Sequence, residues 1–316
     1  MGSFIGHVAL GFGFFIIGLW HILNHIKLHG LNPNSYISSP WFPTSRIKYL
    51  ELYLIMIGSS MSIAMELFIG PDRHQPFDPD GTIPSNHLHS FEHSNISLTF
   101  FTYAFLSIVL DKLAPPARYG LTNMLGAVAF GQQLLLFHLH STDHMGVEGQ
   151  YHWLLQIAIF VSLSTTLLGI SYPQSFLNSF VRSASIMFQG VWLVVMGYML
   201  WTPSLLPKGC FINLEESHDV VRCHDKESLE RAKSLVNIQF SWYITVMTIF
   251  VVALYLFMIK LYHKKVDIEY SLTNYVAEED ENNDDVEAQK DGNHKIGEST
   301  SFLQIGKPLA SMVMER

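Results

Sequence analysis

The sequence FHLHSTDH occupies residues 137–144 and is followed by Glu148 and His152. One apolar run, residues 121–136, precedes this stretch, and another, residues 153–168, follows it. With its flanking residues, each run is long enough to cross the hydrocarbon core of a bilayer, which takes ~20 residues of helix. The stretch is therefore predicted to join two membrane-spanning helices, and it brings several histidines and two carboxylates to one edge of the membrane.

The composition of the whole chain agrees with an integral membrane protein. Of the 316 residues, 49% are hydrophobic and only 15% are charged. Residues 1–265 contain seven apolar runs of membrane-spanning length, at about 4–22, 49–69, 87–110, 120–140, 149–170, 181–201 and 236–261. We predict an all-α, polytopic membrane protein that forms a seven-transmembrane-helix bundle and contacts the lipid bilayer.

The C-terminal segment differs in character from the rest. Residues 266–316 are dense in acidic side chains and poor in apolar ones, which predicts a disordered acidic tail in the cytosol. This segment accounts for the net charge of −8, because the acids and bases of residues 1–265 balance. The sequence has no basic patch of the kind that binds nucleic acid.

The distribution of basic residues predicts the orientation. Seven spans place the two termini on opposite sides, and bases concentrate near the loops after helices one, three, five and seven: Lys27, Arg46, Lys48, Lys112, Arg118, Arg182, Lys260, Lys264 and Lys265. Short basic loops remain in the cytoplasm, so we expect a cytosolic C-terminus and a lumenal or extracellular N-terminus.

Both cysteines, Cys210 and Cys223, lie in the sixth loop on the non-cytosolic side, where a disulfide is permitted. The sequence leaves their pairing open.

Histidines and glutamates gather at the predicted lumenal edge. Five helices contribute them: His7, Glu66, His87, His89, Glu92, His93, His138, His140, His144, Glu148 and His152. Three or four imidazoles with a carboxylate form a typical ligand set for zinc, and they also suit iron or copper. An open coordination position would activate a water molecule, with Glu66 or Glu148 as general base. The alternative is a hydrogen-bond network that only fixes helix packing.

The other histidines carry a weaker signal. A single histidine at a membrane interface is usually a polar cap or a hydrogen-bond donor. We assign that role to the histidines that fall in a loop, in the tail or at an exposed helix end: His25, His29, His74, His218, His224, His263 and His294. His21 lies at the opposite membrane edge from the cluster, so the predicted site leaves it out.

Three segments resemble the transmembrane protein 45 family, which includes plant viral-response proteins. They are Phe4-Ile5-Gly6-His7 with the glycines that follow, Glu92-His93-Ser94-Asn95, and Phe137-His138-Leu139-His140 with the later His152. The resemblance covers about residues 1–261 and implies a seven-helix protein of secretory membranes, without an established activity. It favours His7, His93, His138, His140 and His152 as the metal ligands.

The leading hypothesis from the sequence is a metal-dependent hydrolase that acts on a lipid-like substrate, with zinc as the preferred metal. It would lie in the Golgi, another endomembrane or the plasma membrane. One alternative is a transporter in which histidines pass an ion through the bundle; this requires polar groups at mid-membrane and at the cytosolic edge, where the sequence shows few. Haem binding by a histidine pair and a non-catalytic structural or trafficking role are further alternatives. The sequence does not indicate the oligomeric state.

Overall fold

A computed structural model describes residues 4–70, 75–143, 146–215 and 218–288, and the side chains of all these except 86, 140–143, 218 and 263–288. Seven helices occupy Phe4–Leu31 (α1), Leu50–Ile69 (α2), Leu88–Leu113 (α3), Arg118–Asp143 (α4), Val147–Ser171 (α5), Phe176–Trp201 (α6) and Lys226–Ala288 (α7). All seven contain a segment long and apolar enough to span a membrane. The predicted all-α, seven-helix fold is confirmed.

Short irregular segments adjust the ends of these helices. The last turn of α2, Met65–Ile69, is π-helical, and single 3-10 turns occupy Pro33–Ser35, Ser85–His87 and Pro203–Leu205. Helix α3 ends because Ala114 adopts a left-handed conformation with φ of 48° and two prolines follow it. Proline lacks the backbone N–H that would continue the helix.

The sixth loop contains a β-hairpin. Strand β1, Cys210–Glu215, pairs antiparallel with β2, His218–Cys223, and a disulfide joins Cys210 to Cys223 at the open end of the hairpin. From its position beside the disulfide, the Arg222 side chain reaches towards the turn, where its Nε donates a hydrogen bond to Glu215 at 2.7 Å. The hydrogen bonds from Arg222 and Asn213 lower the pKa of Glu215 to about 2.

Helix α1 is longer than predicted. It continues to Leu31 rather than ending near residue 22, because His21, Ile22, His25 and Ile26 form one buried face. Residues three or four apart share a face of a helix, so this spacing buries all four together. The segment expected to be a polar loop is therefore part of the bundle.

Helix α7 also extends past both predicted ends. It begins at Lys226, where the Asp225 carboxylate accepts a hydrogen bond from the Ser228 amide at 2.7 Å, and it continues to Ala288. The backbone is thus helical in the first part of the segment predicted to be disordered. Residues 289–316 lie outside the described residues, where disorder stays a prediction. By its internal contacts the chain divides into two units, Met1–Lys264 and Lys265–Arg316.

The closest helix pair in the first unit is α1 with α6. A Cβ built on Gly11 would lie 2.7 Å from the carbonyl oxygen of Gly190, so only glycine permits this approach. Helix α6 is the most enclosed of the seven, with 67% of its spanning window buried, against 28% for α1 and 6% for α7. Its Trp192 is fully buried against Tyr151 and Phe240. The polar side chains of α6 consequently face the interior of the bundle.

Candidate functional site

Buried polar side chains occur at both ends of the bundle and between them. We call the end where α1 begins and α6 finishes the histidine end. The opposite end, where α1 finishes and α6 begins, is the arginine end. The central cluster consists of Gln133, Ser162, Ser185 and Gln189.

At the histidine end, α1 and α5 bring two buried imidazoles together. The rings of His7 and His152 lie 5.9 Å apart, edge to face, and the two residues are only 8% and 1% exposed. The His152 Nδ1 donates to the Glu148 carbonyl oxygen in its own helix at 3.0 Å. A neutral imidazole has one donor and one acceptor nitrogen, so this bond leaves Nε2 as the proton-accepting atom of His152. Trp201 covers His7, with the ring centroids 4.8 Å apart.

The other predicted ligands at this end have partners of their own. The His93 Nδ1 lies 3.3 Å from the Glu66 carboxylate, which joins α3 to the π-helical turn of α2. The His138 Nδ1 lies 3.1 Å from the Gln156 side-chain oxygen. The Phe137 ring contacts both His93 and His152, at centroid distances of 6.3 and 5.7 Å.

Among the described residues, the predicted site residues come together in pairs rather than around one point. His7 pairs with His152, Glu66 with His93, and Glu148 is buried beside them at 7% exposure. Within the described part of the chain, no three His, Cys, Asp or Glu side chains form a group that could hold a metal. The His140 side chain and the whole of His144 lie outside that part. The metal assignment stays a prediction.

Hydrogen bonds within the central cluster link α4 to α6 and α6 to α5. The Gln133 Nε2 donates to the Gln189 Oε1 at 3.2 Å, and the Gln189 Nε2 donates to the Ser162 Oγ at 2.7 Å. Ser162 in turn shares a 2.7 Å hydrogen bond with Ser185. Gln189 and Ser162 are fully buried. Because an unpaired amide in an apolar interior is costly, these bonds fix the register of three helices.

At the arginine end, α6 buries a guanidinium group. Arg182 is 3% exposed and donates to the Asn123 side-chain oxygen at 3.0 Å and to the Ser39 carbonyl at 3.1 Å. Its Nη2 also lies 3.4 Å from the His25 Nε2. Arginine only donates, so His25 accepts through Nε2 and its Nδ1 proton points to the Tyr36 hydroxyl, 2.8 Å away. Burial raises the pKa of Tyr36.

A second charged group, Glu51 of α2, completes the arginine end. It is 4% exposed, and one oxygen lies 2.7 Å from the His21 Nε2. The other oxygen accepts from the Trp20 ring at 3.1 Å and from the Phe42 amide at 2.9 Å. The remaining nitrogen of His21, Nδ1, is buried and has no hydrogen-bond partner among the described residues. It is thus an acceptor site for a proton beside a buried carboxylate.

One sequence assignment at the arginine end is corrected. His25, expected in a loop or at an exposed helix end, is fully buried within α1. His21, left out of the predicted site because it lies at the opposite membrane edge, does lie at the arginine end and is 4% exposed. Arg182, counted among the basic residues that predict orientation, is 3% exposed. The sequence does contain a pattern that predicts burial of the two histidines. His21 and His25 are four residues apart, and Ile22 and Ile26 follow them on the same helical face.

Residues 119–256 match a family of unknown function (DUF716). The match runs from the start of α4 into α7 and includes Arg182, the central cluster, His138 and His152. It is consistent with the resemblance to transmembrane protein 45, although it does not name that family, and it supplies no activity. The function must therefore be inferred from the site.

Proposed function

We propose that this multi-pass membrane protein transfers protons across the bilayer. The observation that supports this most is the succession of buried, hydrogen-bonded polar groups at the histidine end, in the central cluster and at the arginine end. Ionisable groups inside a membrane are costly and commonly mark ion pathways and proton relays. Such a pathway also needs polar groups at mid-membrane and at the second edge, and the central cluster and the arginine end supply them.

The titratable groups at the two ends have the chemistry that a relay needs. Imidazole exchanges protons near neutral pH. At the arginine end, His21 can bind a proton on Nδ1 while its Nε2 proton faces the Glu51 carboxylate. His25 lies nearby, with its ring 6.0 Å from that of His21, and its Nδ1 proton points to the Tyr36 hydroxyl. At the histidine end, the imidazoles of His7 and His152 would exchange the proton.

The central cluster would connect the two ends. Along α6, Arg182, Ser185 and Gln189 lie on one face, and the Ser185 hydroxyl donates to the Arg182 carbonyl at 2.8 Å. On α5, Ser162 lies about 9 Å along the axis from Gln156, at ~1.5 Å per residue. Water or a rotation of Gln133 would bridge that interval, since hydroxyl and amide groups both donate and accept.

Proton flux into liposomes tests this proposal. Purified protein is reconstituted with a trapped pH-sensitive dye, and a potassium gradient with valinomycin drives protons inward. Gln189→Leu keeps the side-chain volume but removes the central hydrogen bonds, so we expect at least a tenfold lower flux. Thr102→Val is the control, because Thr102 is exposed and its hydroxyl donates to the Leu98 carbonyl of its own helix. Wild-type flux equal to that of empty liposomes would overturn the proposal.

A second candidate is the metal-dependent hydrolase, supported by the approach of His7 to His152 and of Glu66 to His93. A divalent metal held by His7, His93, His138, His140 and His152 would activate water for attack on a lipid-like substrate, with Glu66 or Glu148 as base. Zinc, iron and copper all suit imidazole ligands.

Metal content decides this second candidate independently of proton flux. Mass spectrometry of the purified protein should find about one metal ion per chain in the wild type and in His224→Ala, whose histidine is exposed on the hairpin. A His7→Ala, His152→Ala double variant should lose it. Metal-free wild-type protein that still conducts protons would eliminate the hydrolase and leave the relay.

We also propose that the histidine end faces the lumen or the cell exterior, with the C-terminus in the cytosol. The disulfide between Cys210 and Cys223 supports this, because disulfides persist in oxidising compartments. Labelling of intact cells with a membrane-impermeant maleimide should therefore require prior reduction. Labelling without a reductant would contradict the oxidised hairpin. If intact cells do not label, the reduced protein is tested again after the plasma membrane alone has been permeabilised: labelling then would place the hairpin in the cytosol and contradict the proposal, whereas labelling only after the internal membranes are also permeabilised would place it in a lumen.

A further inference from the structure

The side chain of Gln156 joins α5 to two consecutive residues of α4. Its Nε2 donates to the Phe137 carbonyl oxygen at 3.3 Å, and its Oε1 lies 3.1 Å from the His138 Nδ1. Gln156 is 8% exposed and lies one turn after His152, on the same face of α5. A buried amide thus contacts the ring of one candidate site residue and the backbone beside it.

The two contacts fix which end of the Gln156 amide faces His138. A backbone carbonyl only accepts hydrogen bonds, so the amide nitrogen must face the Phe137 oxygen. The reversed amide would place two oxygen atoms against each other. The Gln156 oxygen consequently faces the imidazole, and an amide oxygen also only accepts.

His138 must therefore carry a proton on Nδ1. A neutral imidazole has one donor and one acceptor nitrogen, so Nε2 is the nitrogen of His138 that can accept a proton. The hydrogen bond made by one ring nitrogen decides which nitrogen is left to react. In His138, that decision is made by the Gln156 oxygen.

Two neighbouring imidazoles have the same arrangement. The His152 Nδ1 lies 3.0 Å from the Glu148 carbonyl oxygen, and the His93 Nδ1 lies 3.3 Å from the Glu66 carboxylate. Carbonyl and carboxylate oxygens only accept, so Nδ1 is the donor in these rings as well. Imidazoles on α3, α4 and α5 consequently share one tautomer, although their three partners differ in chemistry.

We propose that Gln156 is a positioning residue that fixes the tautomer of His138. Gln156 acts through the imidazole and does not take up a proton itself. Its role in transport rests on the proposed proton transfer, in which the His138 Nε2 would receive the proton. Without the amide oxygen, nothing in this contact keeps the proton on Nδ1, and Nε2 would be a donor for part of the time.

Nitrogen NMR of the full-length protein, labelled with ¹⁵N-histidine and reconstituted in lipid bilayers, measures the tautomer. Protonated and unprotonated ring nitrogens differ widely in chemical shift, and couplings to the ring protons distinguish Nδ1 from Nε2. His138→Gln identifies the signals of His138 by their loss. At alkaline pH, where imidazoles are neutral, the wild type should show a protonated Nδ1 and an unprotonated Nε2.

Two substitutions of Gln156 and one control make the test specific. Gln156→Leu removes both hydrogen bonds, so the second tautomer of His138 should appear and proton flux into liposomes should fall about tenfold, as is typical when a group that orients a reactive imidazole is removed. Gln156→Glu removes the donor to Phe137 but keeps an acceptor for His138, so the wild-type tautomer should persist. Gln150→Leu makes the same change on the same helix, where the Gln150 amide donates to Asn237 at 2.6 Å, and it should alter neither quantity.

The NMR and flux results decide separate points. An unchanged His138 tautomer in Gln156→Leu would overturn the proposal, because Gln156 would then only join α4 to α5. A changed tautomer with wild-type flux would overturn its role in transport. Gln156→Met, unbranched like glutamine, makes the same test if Gln156→Leu does not fold. Wild-type flux equal to that of empty liposomes would instead refute proton transfer and with it the transport role, whereas the tautomer assignment would stand or fall on the NMR signals alone.

Discussion

Replacing Gly18 by alanine should destabilise the protein through the contact between α1 and α6. The new Cβ would lie 2.6 Å from the Met187 Cβ and nearer still to the Met187 backbone. Because backbone atoms cannot rotate away, the two helices would have to separate. Overpacking of this kind costs about 1–3 kcal/mol.

Gly13 provides a control on the same helix. A Cβ at Gly13 meets nothing within 4 Å, so alanine there is unstrained. Alanine also favours a helix over glycine by about 0.5–1 kcal/mol. The two variants should thus differ by about 1.5–4 kcal/mol in the free energy of unfolding, although each adds the same single methyl group to α1.

Equilibrium unfolding in mixed detergent micelles, followed by tryptophan fluorescence, measures this difference. Gly18→Ala should unfold at a lower fraction of denaturing detergent than wild type, and Gly13→Ala at the same or a higher fraction. Equal stability of the two variants would refute the close α1–α6 contact on which the burial of both polar ends depends.

Three further predictions concern the charged groups and the disulfide. Arg182→Met should destabilise the protein by about 1–3 kcal/mol for each buried acceptor left unpaired, and Arg182→Lys should recover only part of this, as measured by the same unfolding assay. The Cys210→Ser, Cys223→Ser variant should lose about 2–4 kcal/mol of hairpin stability, detected as faster amide exchange over residues 210–223. The depressed pKa of Glu215, about 2, means that its ion pair with Arg222 stabilises the hairpin above the unfolded carboxyl pKa of ~4.3 and is lost as the pH falls towards 2. An NMR titration of Glu215 should therefore show its midpoint near pH 2, moving towards the ordinary range in Arg222→Gln; a wild-type midpoint above pH 4 would contradict this.

The sequence was sufficient for the number and order of the helices, because each span is apolar over a full membrane thickness. It was insufficient for their ends. Helix α1 continues through His25, which is buried there and pairs with Arg182, 157 residues away in the chain. Hydropathy along one segment cannot report a partner of this kind, so polar residues near a span were assigned to loops.

The same limit explains the site predictions. Histidines repeated within a short stretch drew attention to the histidine end, where His7 and His152 do meet. At the arginine end, Glu51 and Arg182 each occur singly, and isolated charges near a helix end are normally exposed to water. Their burial becomes evident only when α1, α2 and α6 pack together. The pairing of Gln189 with Ser162 likewise depends on tertiary contacts alone.

The tight pairing of α1 with α6 has a consequence for biosynthesis. Because the chain is synthesised from its N-terminus, α1, which ends at Leu31, enters the membrane long before α6, which begins at Phe176, has been made. At ~5–20 residues per second this interval lasts on the order of 10 s. During that time the imidazoles of α1 have no α6 to cover them. The glycine face of α1 therefore remains uncovered by its final partner until the sixth helix has been made.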